Sequence, residues 1–161
     1  MNAVPETKFP SPEKLLPHRA PMVLVDRVTA FDLAAQTLTA ETTVSEKSLF
    51  FDEKLGGVPA CVAIEYMAQT VGCFAGLYDL SCTPPREPLV GFVLGTRKFD
   101  AKEAVLTPGK YEISVSELFF DDEIASFACV LSRGNDGAAL CTATLTAFRP
   151  RDLEKFKKEH L

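Results

Sequence analysis

Histidine is almost missing from this chain: His18 and His160 are the only two in 161 residues. The five cysteines, Cys61, Cys73, Cys82, Cys129 and Cys141, are odd in number, widely spaced and without a Cys-x-x-Cys pair. Neither a disulfide framework nor a metal site fits that pattern, and cysteines lying within apolar segments read as free structural thiols. Positive charge is in deficit as well. A formal net charge of −5 argues against a nucleic-acid binder, which needs a positive field along the phosphate path. No internal repeat and no low-complexity tract occurs, and the opening Met-Asn-Ala-Val-Pro-Glu-Thr-Lys has no apolar segment behind a basic start, so a cytoplasmic protein is expected. The longest weakly polar run is interrupted by Glu65, Tyr66 and Gln69 and flanked by loops, so no membrane span is expected. What is present suits one domain over residues 1–161, with a hydrophobic fraction of 47% that is ample for a core.

The stretch from Gly56 to Leu80 organises the rest. Two glycines and Pro59 punctuate its start, and a run of helix formers and small apolar residues follows, long enough for about five helical turns. Val62, Ile64, Met67, Ala68, Val71, Phe74, Ala75 and Leu77 cover more than one face, so other structure must enclose this helix. Glu65 and Gln69 stand four residues apart, on one side of it. A carboxylate in an apolar helix is costly unless it is paired or used. It either ties the helix to its surroundings or takes part in chemistry.

Before the helix, Ser11 to Leu16 reads as one helical turn with Ser11 as N-cap and Pro12 at the first position, preceded by a loose arm. Pro17 and Pro21 bracket His18-Arg19 and stiffen the loop that presents them. Met22 to Phe31 and Thr37 to Val44 are strand candidates, as are Leu89 to Phe99, Gly109 to Phe119, Ile124 to Arg133 and Ala138 to Phe148 after the helix. Asp32 to Gln36, Asp121-Asp122 and Gly134-Asn135-Asp136-Gly137 read as turns, Ser81 to Pro88 as a proline-rich loop, and the basic Arg151 to Leu161 as a solvated tail ahead of its other reading, a short surface helix. A flat sheet cannot enclose a single buried helix, but a strongly curved antiparallel sheet can. The order therefore predicts an α+β hotdog fold, five to six strands wrapped around one long central helix, with residues 10–150 as its core.

Two segments carry a family likeness. Leu16-Pro17-His18-Arg19-Ala20-Pro21-Met22-Val23-Leu24-Val25-Asp26-Arg27-Val28 resembles the opening of the 3-hydroxyacyl-ACP dehydratases of fatty-acid synthesis. Pro59-Ala60-Cys61-Val62-Ala63-Ile64-Glu65-Tyr66-Met67-Ala68-Gln69 is similar to their helix start, in which the acid is catalytic. Gly91 to Arg97, Ser126 to Cys129 and Thr146 to Pro150 resemble the branch associated with aryl polyene biosynthesis. One departure stands out. The resembling enzymes place a catalytic histidine fourteen residues before the acid, where this chain has Phe51. An enzyme that still needs an imidazole is left with His18, whose other reading is that it anchors its loop.

The resemblance implies dehydration of a (3R)-3-hydroxyacyl thioester on acyl carrier protein, with no cofactor. A histidine titrating near 6.5 can take and return a proton, which suits His18 as the base. Glu65 would protonate or orient the leaving hydroxyl, an apolar wall favouring the protonated form of a carboxylic acid. Gln69 would hold Glu65, and the backbone N–H groups of Ala60 and Cys61 at the helix start would meet the thioester oxygen. Pro59 gives up an N–H the site does not use, and Gly56 and Gly57 would let the chain pass close to substrate. Phe50, Phe51, Phe92, Phe99, Phe119, Phe120 and Phe127 are candidates to line an acyl slot or simply fill the core. Arg19, Arg97 and Lys98 would receive a phosphopantetheine phosphate or an acidic carrier, or are ordinary surface charges. The family pairs two hotdogs edge to edge, so a homodimer or a heterodimer with a related subunit is expected. A thioesterase on the same fold, and a non-catalytic subunit that binds acyl chains or a partner dehydratase, are the competing functions.

Overall fold

Alternation of buried and open residues builds the sheet of this computed structural model, which describes residues 8–87, 89–134 and 137–161. On β2 (Thr37–Val44), Leu38, Ala40, Thr42 and Val44 point inward, and on β6 (Gly109–Phe120) Tyr111, Ile113 and Val115 do the same. With β1 (Arg27–Asp32), β4 (Phe92–Ala101), β7 (Ile124–Arg133) and β8 (Ala139–Phe148) they form one antiparallel sheet in the order β1-β2-β6-β7-β8-β4. Register shifts in the β1–β2, β6–β7, β7–β8 and β4–β8 pairs bend the strands, since a bulge adds local twist. Two short strands absent from the sequence reading, β3 (Val58–Pro59) and β5 (Val105–Leu106), pair separately. Two residues carry too little alternation to be read as a strand.

The curved sheet wraps α2 (Ala63–Ser81), entered through a 3-10 turn at Ala60–Val62. Phe74 touches Phe31 and Phe127 edge to face, at 5.6 and 5.3 Å between ring centres. By length and composition Ala60–Ser81 would suffice to cross a bilayer, but 61% of its apolar window is buried here as the core helix. The expected enclosure is incomplete. Ala68, Gly72, Ala75 and Tyr78 are only half-buried, because a groove runs along that side, and Cys61 is exposed. α1 (Pro12–Leu15) crosses the helix where two glycines make room: a Cβ on Gly76 would stand 2.7 Å from the Leu15 carbonyl oxygen, and one on Gly72 would meet the Leu16 side chain at 2.5 Å. Ser11 occupies the N-cap position but makes no side-chain capping bond.

Three expectations need correction. The first strand begins at Arg27 and not Met22, because residues 22–26 are bonded largely by side chains: Leu24 donates to Gln69 and accepts from Thr42, and the Met22 carbonyl accepts from Gln69. The strand expected from Leu89 starts at Phe92 and runs on to Ala101. The C-terminal segment is no loose tail. α3 (Leu153–His160) is capped by the Asp152 side chain, and its Phe156 packs on Phe92 and Phe148, 5.6 and 5.5 Å away. Its single aromatic anchor was hidden among charges. The N-terminal arm over residues 1–7, Pro88 of the proline-rich loop and the centre of the 134–137 turn lie outside the described residues.

Candidate active site

Gln69 is the hub. Wholly buried, it accepts the Leu24 N–H at Oε1 (2.8 Å), while its Nε2 donates to the Met22 carbonyl (2.7 Å) and to Glu65 Oε1 (2.9 Å). The amide thereby fastens the segment after the His-Arg loop to α2 and fixes the carboxylate one turn before it. The structure brings His18 to the same carboxylate, with Nε2 3.6 Å from Glu65 Oε1 and side chains 35% and 38% exposed. Glu65 is therefore not the buried carboxylate that an apolar helix suggested. Its open side lines a cavity. His18 Nδ1 is buried without a hydrogen-bond partner among the described residues. Arg19 holds the loop from outside, donating from Nη1 to the carbonyls of His18 (2.8 Å) and Leu16 (3.3 Å), so this nitrogen is engaged with the loop.

At the helix start the two expected amides part company. Ala60 N–H donates to the Ala104 carbonyl at 2.9 Å and cannot also meet an oxyanion. Ala60 is thus removed from the donor pair, and Cys61, exposed in the first turn, is left as the amide at that place. Pro59 lies in β3, paired with Val105. Gly57 has its close neighbour on the same side: a Cβ there would collide with the Leu106 carbonyl oxygen and meet Val105 Cγ1 at 2.6 Å, so its smallness serves β5 packing and not substrate passage. Gly56 adopts φ +69°, a conformation glycine accepts freely.

From His18 and Glu65 a cavity of about 500 Å³ extends along α2, lined by Ala68, Gly72 and Ala75 of the helix and by Phe74, Phe127 and Leu145. Of the phenylalanines singled out in the sequence, Phe92, Phe120 and Phe127 line it. Phe50, Phe51, Phe99 and Phe119 do not; Phe50 and Phe119 are exposed, and Phe51 packs against the core from the loop before the helix. Phe74 and Phe148 line it without having been singled out. The helix period marks Phe74 only as part of the apolar surface, three residues on from Val71. Arg97 and Lys98 are exposed on β4, away from the lining, and form no ion pair among the described residues.

The fully buried carboxylate is a different one. Asp79, near the end of α2, is 0% exposed and binds Arg149 Nη1 at 2.7 Å, with Arg86 Nη2 3.5 Å from its other oxygen. An aspartate inside an apolar helix was the available signal. On the opposite side of the site loop, Asp26 accepts the Thr43 N–H at 2.8 Å, and burial holds its carboxyl above the ordinary 3.8 despite that bond. Burial also pushes the Tyr66 hydroxyl and the Cys73 and Cys129 thiols up to about 12. No three His, Cys, Asp or Glu side chains gather into a metal-ligand array among the described residues.

A family model for ApeP-like proteins, described as the ApeP dehydratase, matches residues 10–158. The 3-hydroxyacyl-[acyl-carrier-protein] dehydratase FabZ of Chlamydia pneumoniae is 32% identical over 94 residues, which are 56% of this chain and 60% of that one. Its Chlamydia trachomatis counterpart is 28% identical over 108 residues, 65% and 69% of the two chains. Among solved structures, the dehydratase heterocomplex ApeI:P from Xenorhabdus doucetiae superimposes with a TM-score of 0.84 at 26% identity, covering 96% of this chain and 100% of that one. A mutant thioesterase from Pseudomonas aeruginosa shares the fold, with a TM-score of 0.58 at 18% identity over 78% and 80% of the chains.

Proposed function

The chain belongs to the ApeP-like dehydratase family, and on that footing we propose that it removes water from a (3R)-3-hydroxyacyl thioester on acyl carrier protein, giving the trans-2-enoyl thioester, in fatty-acid-like or aryl polyene biosynthesis. The observation that carries this reading is the His18 Nε2 to Glu65 Oε1 approach of 3.6 Å at one end of an apolar cavity. His18 takes the proton from C2, the C2–H electron pair forms the C2=C3 bond, and the C3–O bond breaks as Glu65 gives its proton to the departing hydroxyl. The step leaves His18 protonated and Glu65 ionised. At 3.6 Å, directly or through one water, the proton can return and reset the pair. Charge growing on the thioester oxygen is met by the Cys61 amide and the positive end of the helix. The elimination moves protons and no net electrons, so it proceeds without a cofactor.

The partners follow from the sheet edge. Val93 to Lys98 of β4 are exposed and, among the described residues, β4 pairs only with β8, which leaves one edge free for a second hotdog. The neighbour from Xenorhabdus doucetiae is a heterocomplex, which supports a related dehydratase as that second subunit over a second copy of this chain. Arg97 and Lys98 on the same strand remain the basic groups offered to the acidic carrier or its phosphate.

A second reading is favoured by Phe51, which stands where the resembling enzymes carry their histidine: a subunit active only beside a partner that brings its own base. Mass-spectrometric conversion of a 3-hydroxyacyl-ACP by wild type, H18A and E65A, each with and without the related subunit, tests both. Loss of about 10²-fold or more in both variants is expected of an acid and a base. Near-full activity of H18A overturns its assignment, and activity of wild type only in the complex favours the second reading.

A further inference from the structure

The acyl cavity has charge on its wall. Its helix wall runs through Glu65, Ala68, Gly72, Ala75 and Tyr78, thirteen residue steps or about 20 Å at 1.5 Å each. Much of the lining is apolar. Next to Tyr78, however, Asp79 binds Arg149 and Arg149 binds Glu123, and both Arg149 and Glu123 belong to the cavity lining, as does Glu117 elsewhere along it. Arg149 is fixed there. Its Nη1 binds the buried Asp79 at 2.7 Å, its backbone N–H donates to the Glu123 carbonyl at 2.7 Å, and its side chain is 17% exposed. Glu117 in turn accepts from Gln36 Nε2 at 2.9 Å, and burial raises its carboxyl above the ordinary value.

A buried ion pair is weak support for a fold, because well-packed apolar residues of the same volume do as well or better. Its position on the wall of a lipid-sized cavity points to another role. We propose that Arg149, held by Asp79, is the specificity-determining group of the pocket and sets the longest unsubstituted acyl chain that the enzyme accepts. This rests on the reading of the cavity as the acyl site. A methyl group pushed against the guanidinium removes water from a charged group and returns no hydrogen bond, so each chain that reaches Arg149 is penalised and shorter ones are not.

The test is a series of 3-hydroxyacyl-ACP substrates from butanoyl to hexadecanoyl, with wild type, R149K and the double variant D79N/R149M. The double variant removes both charges together, so no buried carboxylate is left alone; R149K keeps a cation for Asp79. For wild type and R149K, kcat/KM is expected to break downward by about tenfold once the chain reaches the cluster, carried mainly by KM. In D79N/R149M the ratio of long-chain to short-chain kcat/KM rises by about the same factor. An unchanged ratio, or an equal fall at every length, overturns the proposal. Calorimetric binding of the corresponding acyl-pantetheine thioesters is read in parallel. A length break in binding without turnover keeps the role of Arg149 and sinks the dehydratase reading; turnover with no break at any length does the reverse.

Discussion

Replacing Gln69 by leucine should cost both stability and rate, and the sizes can be worked from its bonds. The side chain is 1% exposed and makes two bonds to backbone, with the Leu24 N–H and the Met22 carbonyl. Each is worth about 1 kcal/mol, and stranding the buried Leu24 N–H adds about 1–3 kcal/mol. The third bond, to Glu65, is left out of the sum because water competes for a carboxylate that is 38% exposed. Leucine nearly matches glutamine in volume and returns some apolar contact, so the net loss is about 3 kcal/mol. In a chain of 161 residues each 1 kcal/mol moves Tm by about 2–4 °C, which gives a fall of about 6–12 °C by calorimetry. The same change releases Glu65 from its orienting donor and the segment after His18 from the helix, and a misplacement of about 1 Å costs on the order of 100-fold in kcat. Unaltered Tm would refute the hub role. A lowered Tm with undiminished kcat would show that the clamp is structural only.

Other outcomes follow from packing and titration. G76A puts a Cβ 2.7 Å from the Leu15 carbonyl oxygen and should lose about 1–3 kcal/mol in denaturant melts, whereas G95A, with nothing within 4 Å, should stay within about 0.5 kcal/mol. Alkylation at pH 8 followed by peptide mapping should label exposed Cys61 first. Cys73 and Cys129, pushed to about 12 by burial, and Cys141, pushed to about 11, should react only after unfolding. Because burial raises the Asp26 carboxyl in the folded state, its neutral form is the one that folding favours. Its contribution is full below 3.8 and is lost as pH rises through the folded value. D26N should therefore gain stability relative to wild type between pH 3 and pH 7, and equal pH profiles would contradict that.

The long strands and the helix were legible because their periods are undiluted: β2 and β7 occur at the residues that alternation marks, and α2 fills the run after Pro59. Pairing of Glu65 with Gln69 was legible for the same reason, since four residues is one turn. Tertiary bonds were not. Nothing local announces that Ala60 gives its N–H to Ala104, or that residues 22–26 answer to Gln69 and Thr42 before the first ladder begins. Exposure followed the same divide. Glu65 was expected to be buried from the composition of its helix, but it lines a groove whose other walls, Phe127 and Leu145 among them, come from far away in sequence. Asp79 carries the buried charge instead, and its partners, Arg86 nearby and above all Arg149 seventy residues on, explain why it is tolerated.

The crossing of α1 over Gly72 and Gly76 has a mechanical side. The leash bearing His18 is seated on α2 through Leu15 and Leu16 before the loop and through Gln69 after it, while Glu65 is part of α2 itself. Imidazole and carboxylate both hang from one helix. The segment after the loop is tied to β2 as well, where Thr42 donates to the Leu24 carbonyl and the Asp26 N–H donates to the Glu41 carbonyl, whereas Leu15 and Leu16 before the loop are seated on α2 alone. The spacing of the pair is in that sense gauged first by a single helix, with the curved sheet closing around it.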